Sequence, residues 1–124
     1  MKSKIIYIAI VVLMSLNVFL PSQDVIKEKT ELLNIYVSLP TVSNSTVLIP
    51  EMTRRPYVYT LYKNQNFDLN SYLIALQKDG WIKSEQYKEK DITYYIYYKD
   101  KYKYRYELRI YDDGRWGDGI SYGN

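Results

Sequence analysis

The chain has 124 residues, 17 Lys or Arg against 14 Asp or Glu, and neither His nor Cys. The missing imidazole and thiol exclude His-based acid–base catalysis, Cys nucleophiles, disulfide stapling and the usual zinc sites. Because Lys2 and Lys4 precede the first apolar run, residues 24–124 carry 15 basic and 14 acidic side chains. That balance gives no strong field for nucleic acid or anionic lipid.

Residues 1–23 read as a signal peptide or a single membrane anchor. Lys2 and Lys4 introduce an apolar stretch over residues 5–20, closed by Pro21. Lys is costly to move across a bilayer, so the downstream part is the translocated part. Sixteen residues make a helix of about 24 Å, short of the ~30 Å hydrocarbon core, which suits a removable signal. The lack of a small-residue cleavage site suits an uncleaved anchor. Both readings place the remainder in the cell envelope, membrane-anchored outside the cytoplasm in one case, periplasmic or secreted in the other. With no Cys after the leader, a lipidated start is excluded.

Residues 24–34, charged and polar, read as a spacer, and residues 35–124 as one α+β domain. Its expected form is a small antiparallel sheet of four or five strands with one helix packed on one face. Ile, Val and Tyr in residues 32–39 point to a first strand, stopped at Pro40. A turn-rich loop, TVSNST, follows, then a brief strand at 47–49 and a second strand at 57–62 (YVYTLY) behind Arg54-Arg55-Pro56. The spacing of Leu69, Leu73 and Leu76 predicts a helix over 69–79, capped by Asp68. Gly80 supplies the positive φ that ends it, and Trp81 follows as a core residue in a Schellman ending.

Tyr is the compositional oddity: 16 in the chain against two Phe, with seven Tyr between positions 94 and 106. From Tyr102 to Ile110 the alternation of apolar and charged residues has the period of a half-buried strand. Residues 92–98 form its expected hairpin partner. Matching apolar to apolar pairs Tyr98 with Tyr102 around a three-residue loop, and Ile92, Tyr94 and Ile96 with Leu108, Tyr106 and Tyr104. The helix is then expected to bury its leucines on that face. The tail, 112–124, holds four of five glycines; a turn at Asp112-Asp113-Gly114, a short strand at Arg115-Trp116 and loose final residues are expected.

No phosphate-binding loop, nucleophile elbow or dinucleotide fingerprint occurs. The acids near Asp112, Asp113 and Asp118 do not follow an EF-hand loop, and D-D-G is ordinary turn chemistry. No metal, cofactor or catalytic residue is assigned. The candidate binding residues are Tyr95, Tyr97, Lys103, Arg105 and Arg109, which the expected register collects on the outer face. Exposed Tyr beside Arg and Lys offers large contact area at small entropy cost. These features point to a small, non-catalytic cell-envelope protein that binds a protein or glycan partner, as an immunity or inhibitor-type protein would. The alternatives are a glycan-binding module or a cell-wall polymer hydrolase; the hydrolase requires Glu85, Glu107 and Asp112 to converge. A nucleic-acid partner is disfavoured by export and by the even charge.

Overall fold

The computed structural model describes residues 23–42, 45–54, 57–63 and 67–123. Residues 1–22 of the expected leader, Arg55 and Pro56 lie outside them, while Gln23 begins the first helix. Among the described residues no helix is long and apolar enough to cross a membrane. The elements are α1 (Gln23–Val37), β1 (Thr46–Arg54), β2 (Tyr57–Lys63), α2 (Leu69–Lys78), β3 (Ile82–Glu89), β4 (Ile92–Lys99), β5 (Tyr104–Tyr111) and β6 (Arg115–Tyr122). All six strands join one antiparallel sheet in the order β1-β2-β6-β5-β4-β3. The α+β class is as expected, but with six strands and, among the described residues, two helices.

The first difference lies in α1. Residues 32–39, expected as a strand, lie mostly within this helix, and residues 24–34, expected as a spacer, form most of it. Leu32, Leu33 and Tyr36 fall on one helical face and are buried against β2 and β6. The Glu and Lys residues before them are good helix formers, and burial of that face outweighs the strand propensity of Ile, Tyr and Val. Ser38 and Leu39 finish the helix with short-range bonds to the carbonyls of Ile35 and Tyr36.

Helix α2 matches its sequence signals. The Asp68 carboxylate accepts from the Ser71 backbone N–H at 3.1 Å and from its hydroxyl at 2.7 Å, satisfying an otherwise orphan donor of the first turn. At the other end Trp81 N–H donates to Leu76 C=O at 3.0 Å and Gly80 N–H to Gln77 C=O at 3.1 Å. With Gly80 at φ +94° this is a Schellman ending. Trp81 is 1% exposed, a core residue.

The hairpin differs in register. β4 and β5 pair Lys99 with Tyr104 around residues 100–103, so Tyr97 faces Tyr106 and Tyr95 faces Leu108. Three successive non-Gly residues, Asp100, Lys101 and Tyr102, take positive φ to make this loop. Relative to the expected pairing, β4 presents its other face: Tyr95 and Tyr97 join Tyr104, Tyr106 and Leu108 beneath the helices. Ile92, Tyr94 and Ile96 lie on the opposite side. β4 (ITYYIYYK) is apolar or aromatic at nearly every position, so alternation could not assign its faces.

The tail differs most. β6 is not loose but central, paired along its length with β2 on one side and β5 on the other. Trp116, Ile120 and Tyr122 pack toward the helices, while Gly117 and Gly119 occupy alternate positions and hide the period of two. A Cβ on Gly117 would meet Thr60 O at 3.1 Å and Leu61 Cδ1 at 3.3 Å, and one on Gly119 would run into the Tyr57 ring. Gly117 thus suits the close approach of the β2 backbone, and Gly119 leaves room for the Tyr57 ring.

Both helices cover the same face. The core between the layers holds Leu32, Val58, Leu76, Trp81, Tyr106, Leu108 and Ile120, each at most 1% exposed. At its centre Asp118, 6% exposed, accepts from Tyr36 at 2.8 Å and from Tyr106 at 2.9 Å. Each phenol has one proton. Tyr62 therefore donates to Tyr36 (2.8 Å) and Tyr72 to Tyr106 (2.9 Å), so two tyrosine relays end on one carboxylate.

Candidate binding face

The side of the sheet away from α1 and α2 is lined by alternate residues of each strand: Tyr57, Tyr59 and Leu61 on β2, Arg105, Glu107, Arg109 and Tyr111 on β5, and Tyr94, Ile96 and Tyr98 on β4. β6 contributes only Gly117, Gly119 and Ser121 between Trp116 and Tyr122 on this side, a strip nearly without side chains. Register decides the cross-strand neighbours. Tyr98 stands opposite Arg105, Ile96 opposite Glu107 and Tyr94 opposite Arg109.

Arg105, Glu107 and Arg109 stand two residues apart on one strand and so point the same way. Arg109 Nε donates to Glu107 Oε2 at 2.6 Å, and Arg105 Nη2 reaches Glu107 Oε1 at 3.4 Å. Arg109 Nη2 donates to the Tyr57 hydroxyl at 2.8 Å. Glu107 is the most covered member, its side chain 12% exposed. Partial burial works against the Arg109 charge, but Tyr57 and Glu107 outweigh it and hold the guanidinium protonated. Tyr57 is pushed above the ordinary phenol range by its own burial, with Arg109 opposing and Glu107 assisting.

Aromatic pairs surround this array. Tyr57 and Tyr59 stack at 5.9 Å, Tyr87 and Tyr94 at 4.8 Å, and the Arg115 guanidinium lies 4.5 Å from the centre of the Tyr111 ring. A depression of about 270 Å³ opens between Tyr57, Tyr59, Leu61, Arg109, Tyr111 and Gly117. What such a face can do is make contacts. Its rings offer flat apolar area with polar rims, and its cations are already oriented.

Of the residues expected to form the binding face, Arg105 and Arg109 stand on this open side. Tyr95 and Tyr97 do not: at 7% and 4% exposure they pack beneath the helices. Lys103 belongs to the β4–β5 loop and pairs with Glu31 at 3.0 Å. The structure thus separates a group that the expected register had collected. The open tyrosines that sequence reasoning missed are Tyr57, Tyr59, Tyr94, Tyr98 and Tyr111. The alternation in YVYTLY already contained the signal for Tyr57 and Tyr59, because Val58 and Thr60 take the buried positions between them.

The carboxylates are dispersed. Wholly buried Ile96 stands between Glu85 on β3 and Glu107 on β5, and Asp112 pairs with Lys88 at 3.2 Å in the turn region. Asp113 accepts from the backbone N–H and the side chain of Arg115, as ordinary turn chemistry requires. Asp118 lies on the helix side. Among the described residues no three potential metal ligands cluster. No protein-family model matches the chain, nor does any curated protein or solved structure.

Proposed function

We propose that the chain is a small exported or membrane-anchored envelope protein that binds another protein through the open face of its sheet and catalyses no reaction. The observation that carries this reading is the pattern of side chains on that face. Tyr94 and Tyr98 flank a guanidinium pair held in place by Glu107 and Tyr57, with no described element packed over them. Five strand spacings of about 4.8 Å and eight residues at about 3.3 Å give a platform of roughly 600 Å². That approaches the ~800 Å² per partner of a standard protein interface. Arg105 and Arg109 against Glu107 make its central strip basic, Arg115 being offset by Asp113, so an acidic partner surface is the expected complement.

The test is site-specific photocrosslinking in the native envelope. A crosslinker at Tyr59 or Tyr98 is expected to trap one discrete protein, and one at Asn34 or Gln77, exposed on the helices, to trap none. Trapping only from the helix positions would reject the open face as the binding surface.

A further inference from the structure

The two ends of the sheet are not alike. At one end lie the β4–β5 loop, the start of β3 and the close of β6. Following α1 backward shows the direction. Tyr36 bonds Asp118 in the middle of β6, Glu31 takes the Tyr104 hydroxyl and the Lys103 ammonium, and the Glu28 carbonyl accepts from Tyr122 near the end of β6. The first turn of α1 therefore points toward the end of the sheet that carries residues 100–103 and Ile82.

That same end carries the two most exposed large apolar or aromatic side chains among the described residues, Ile82 at 73% and Tyr102 at 64%. Tyr102 sits in the loop of three consecutive left-handed residues, with its ring 5.1 Å from that of Tyr98. The loop is tied down from behind, where Gly123 N–H donates to the Lys103 carbonyl at 2.9 Å. Lys99 and Lys103 are engaged with Asp79 and Glu31. What this end presents is an aromatic and an aliphatic side chain beside Asp100 and Lys101, which carry opposite charges.

Only Pro21 and Ser22 separate the apolar run at residues 5–20 from Gln23. Three residue steps span at most about 10 Å. The headgroup layer on each side of a bilayer is itself roughly 5–8 Å deep. We infer that this end of the domain rests on the bilayer surface, with Tyr102 and Ile82 entering the headgroup boundary and the strands rising away from it. The inference rests on the reading that residues 5–20 remain in the membrane. Tyr belongs at that boundary because its ring is apolar and its hydroxyl stays wet. On phosphatidylcholine, which carries no net charge, contact depends on apolar burial and is insensitive to salt. The open face then stands upright, reachable from the side by a second envelope protein.

The chain contains no cysteine, so one introduced thiol is unique. Full-length Lys101→Cys and Lys90→Cys, each carrying an environment-sensitive fluorophore, are reconstituted in phosphatidylcholine vesicles containing nitroxide-labelled lipid. Position 90 lies in the β3–β4 turn, at the far end of the strands and about 26 Å away. The label at 101 is expected to be quenched severalfold more than that at 90, with no change in about 0.5 M salt. Adding Ile82→Ser and Tyr102→Ser is expected to lower the quenching at 101. Equal quenching at both positions, or none at 101, in protein that floats with the vesicles overturns the orientation while the anchor stands. Protein that does not float with the vesicles overturns the anchor and the orientation together.

Discussion

Tyrosines on the two faces of this sheet do different work. On the covered side, Tyr36 of α1, Tyr72 of α2, Tyr62 of β2 and Tyr106 of β5 send their hydroxyl protons inward along two relays that end on Asp118. On the open side, Tyr57, Tyr59, Tyr94, Tyr98 and Tyr111 stand beside Arg105, Arg109 and Arg115 in half-exposed positions. One residue type thus builds a hydrogen-bonded core on one side and a half-exposed face on the other. The difference lies in what covers the ring: helices enclose the first set, solvent reaches the second. A buried phenol without an acceptor is costly, so the covered face must solve a pairing problem that the open face does not have.

Alkali should expose this difference most strongly. Burial raises the Tyr36, Tyr72 and Tyr106 hydroxyls above the ordinary phenol value near 10, and Asp118 adds to the shift in each case. Their folded pKa values lie above the unfolded ones. Their contribution is therefore complete below pH 10 and is lost as pH rises beyond it. Each such group favours the unfolded chain by up to about 1.4 kcal/mol per pH unit above 10 while it stays protonated in the fold. Circular dichroism is expected to report cooperative unfolding between about pH 10 and 12. Phenolate absorbance from these three should appear only with that transition.

Removing the shared acceptor comes next. Asp118→Ala leaves the Tyr36 and Tyr106 hydroxyls without their carboxylate and should cost about 3 kcal/mol in urea unfolding. Glu107→Ala on the open face should cost about 1 kcal/mol, because solvent reaches Arg105 and Arg109. Equal losses would erase the distinction between the two faces. An effect between those two losses is expected of Gly119→Ala. Its new Cβ displaces the Tyr57 ring and with it the Arg109 hydrogen bond, at about 1–2 kcal/mol. Smallest of all, Tyr98→Ser should change stability by less than about 0.5 kcal/mol. The same substitution should weaken partner capture at least tenfold, measured against the wild-type chain.

Some of this organisation was legible in the residues. Local signals located α2, because its Asp68 cap, leucine spacing and Gly80 terminator each act within one turn of the chain. The α+β class and the antiparallel hairpin were readable for the same reason. The faces of β4 were not: Tyr94 and Tyr95 are identical residues, as are Tyr97 and Tyr98, and only the pairing with β5 decides which goes inside. For that reason Arg105 and Arg109 were correctly placed on the open face while their expected companions, Tyr95 and Tyr97, lie in the core. Helix α1 was hidden because its burial depends on β2 and β6, strands distant in sequence. β6 was hidden because Gly117 and Gly119, which leave room for β2, look like punctuation when read alone.

The position of β6 has a consequence for how the protein comes to exist. In the ladder, β1 and β2 on one flank meet β3, β4 and β5 on the other only through β6, the last of the six in chain order. The sheet cannot be knit together before residue 122 has left the ribosome. Until then the polypeptide has no finished core, and its two flanks remain unjoined.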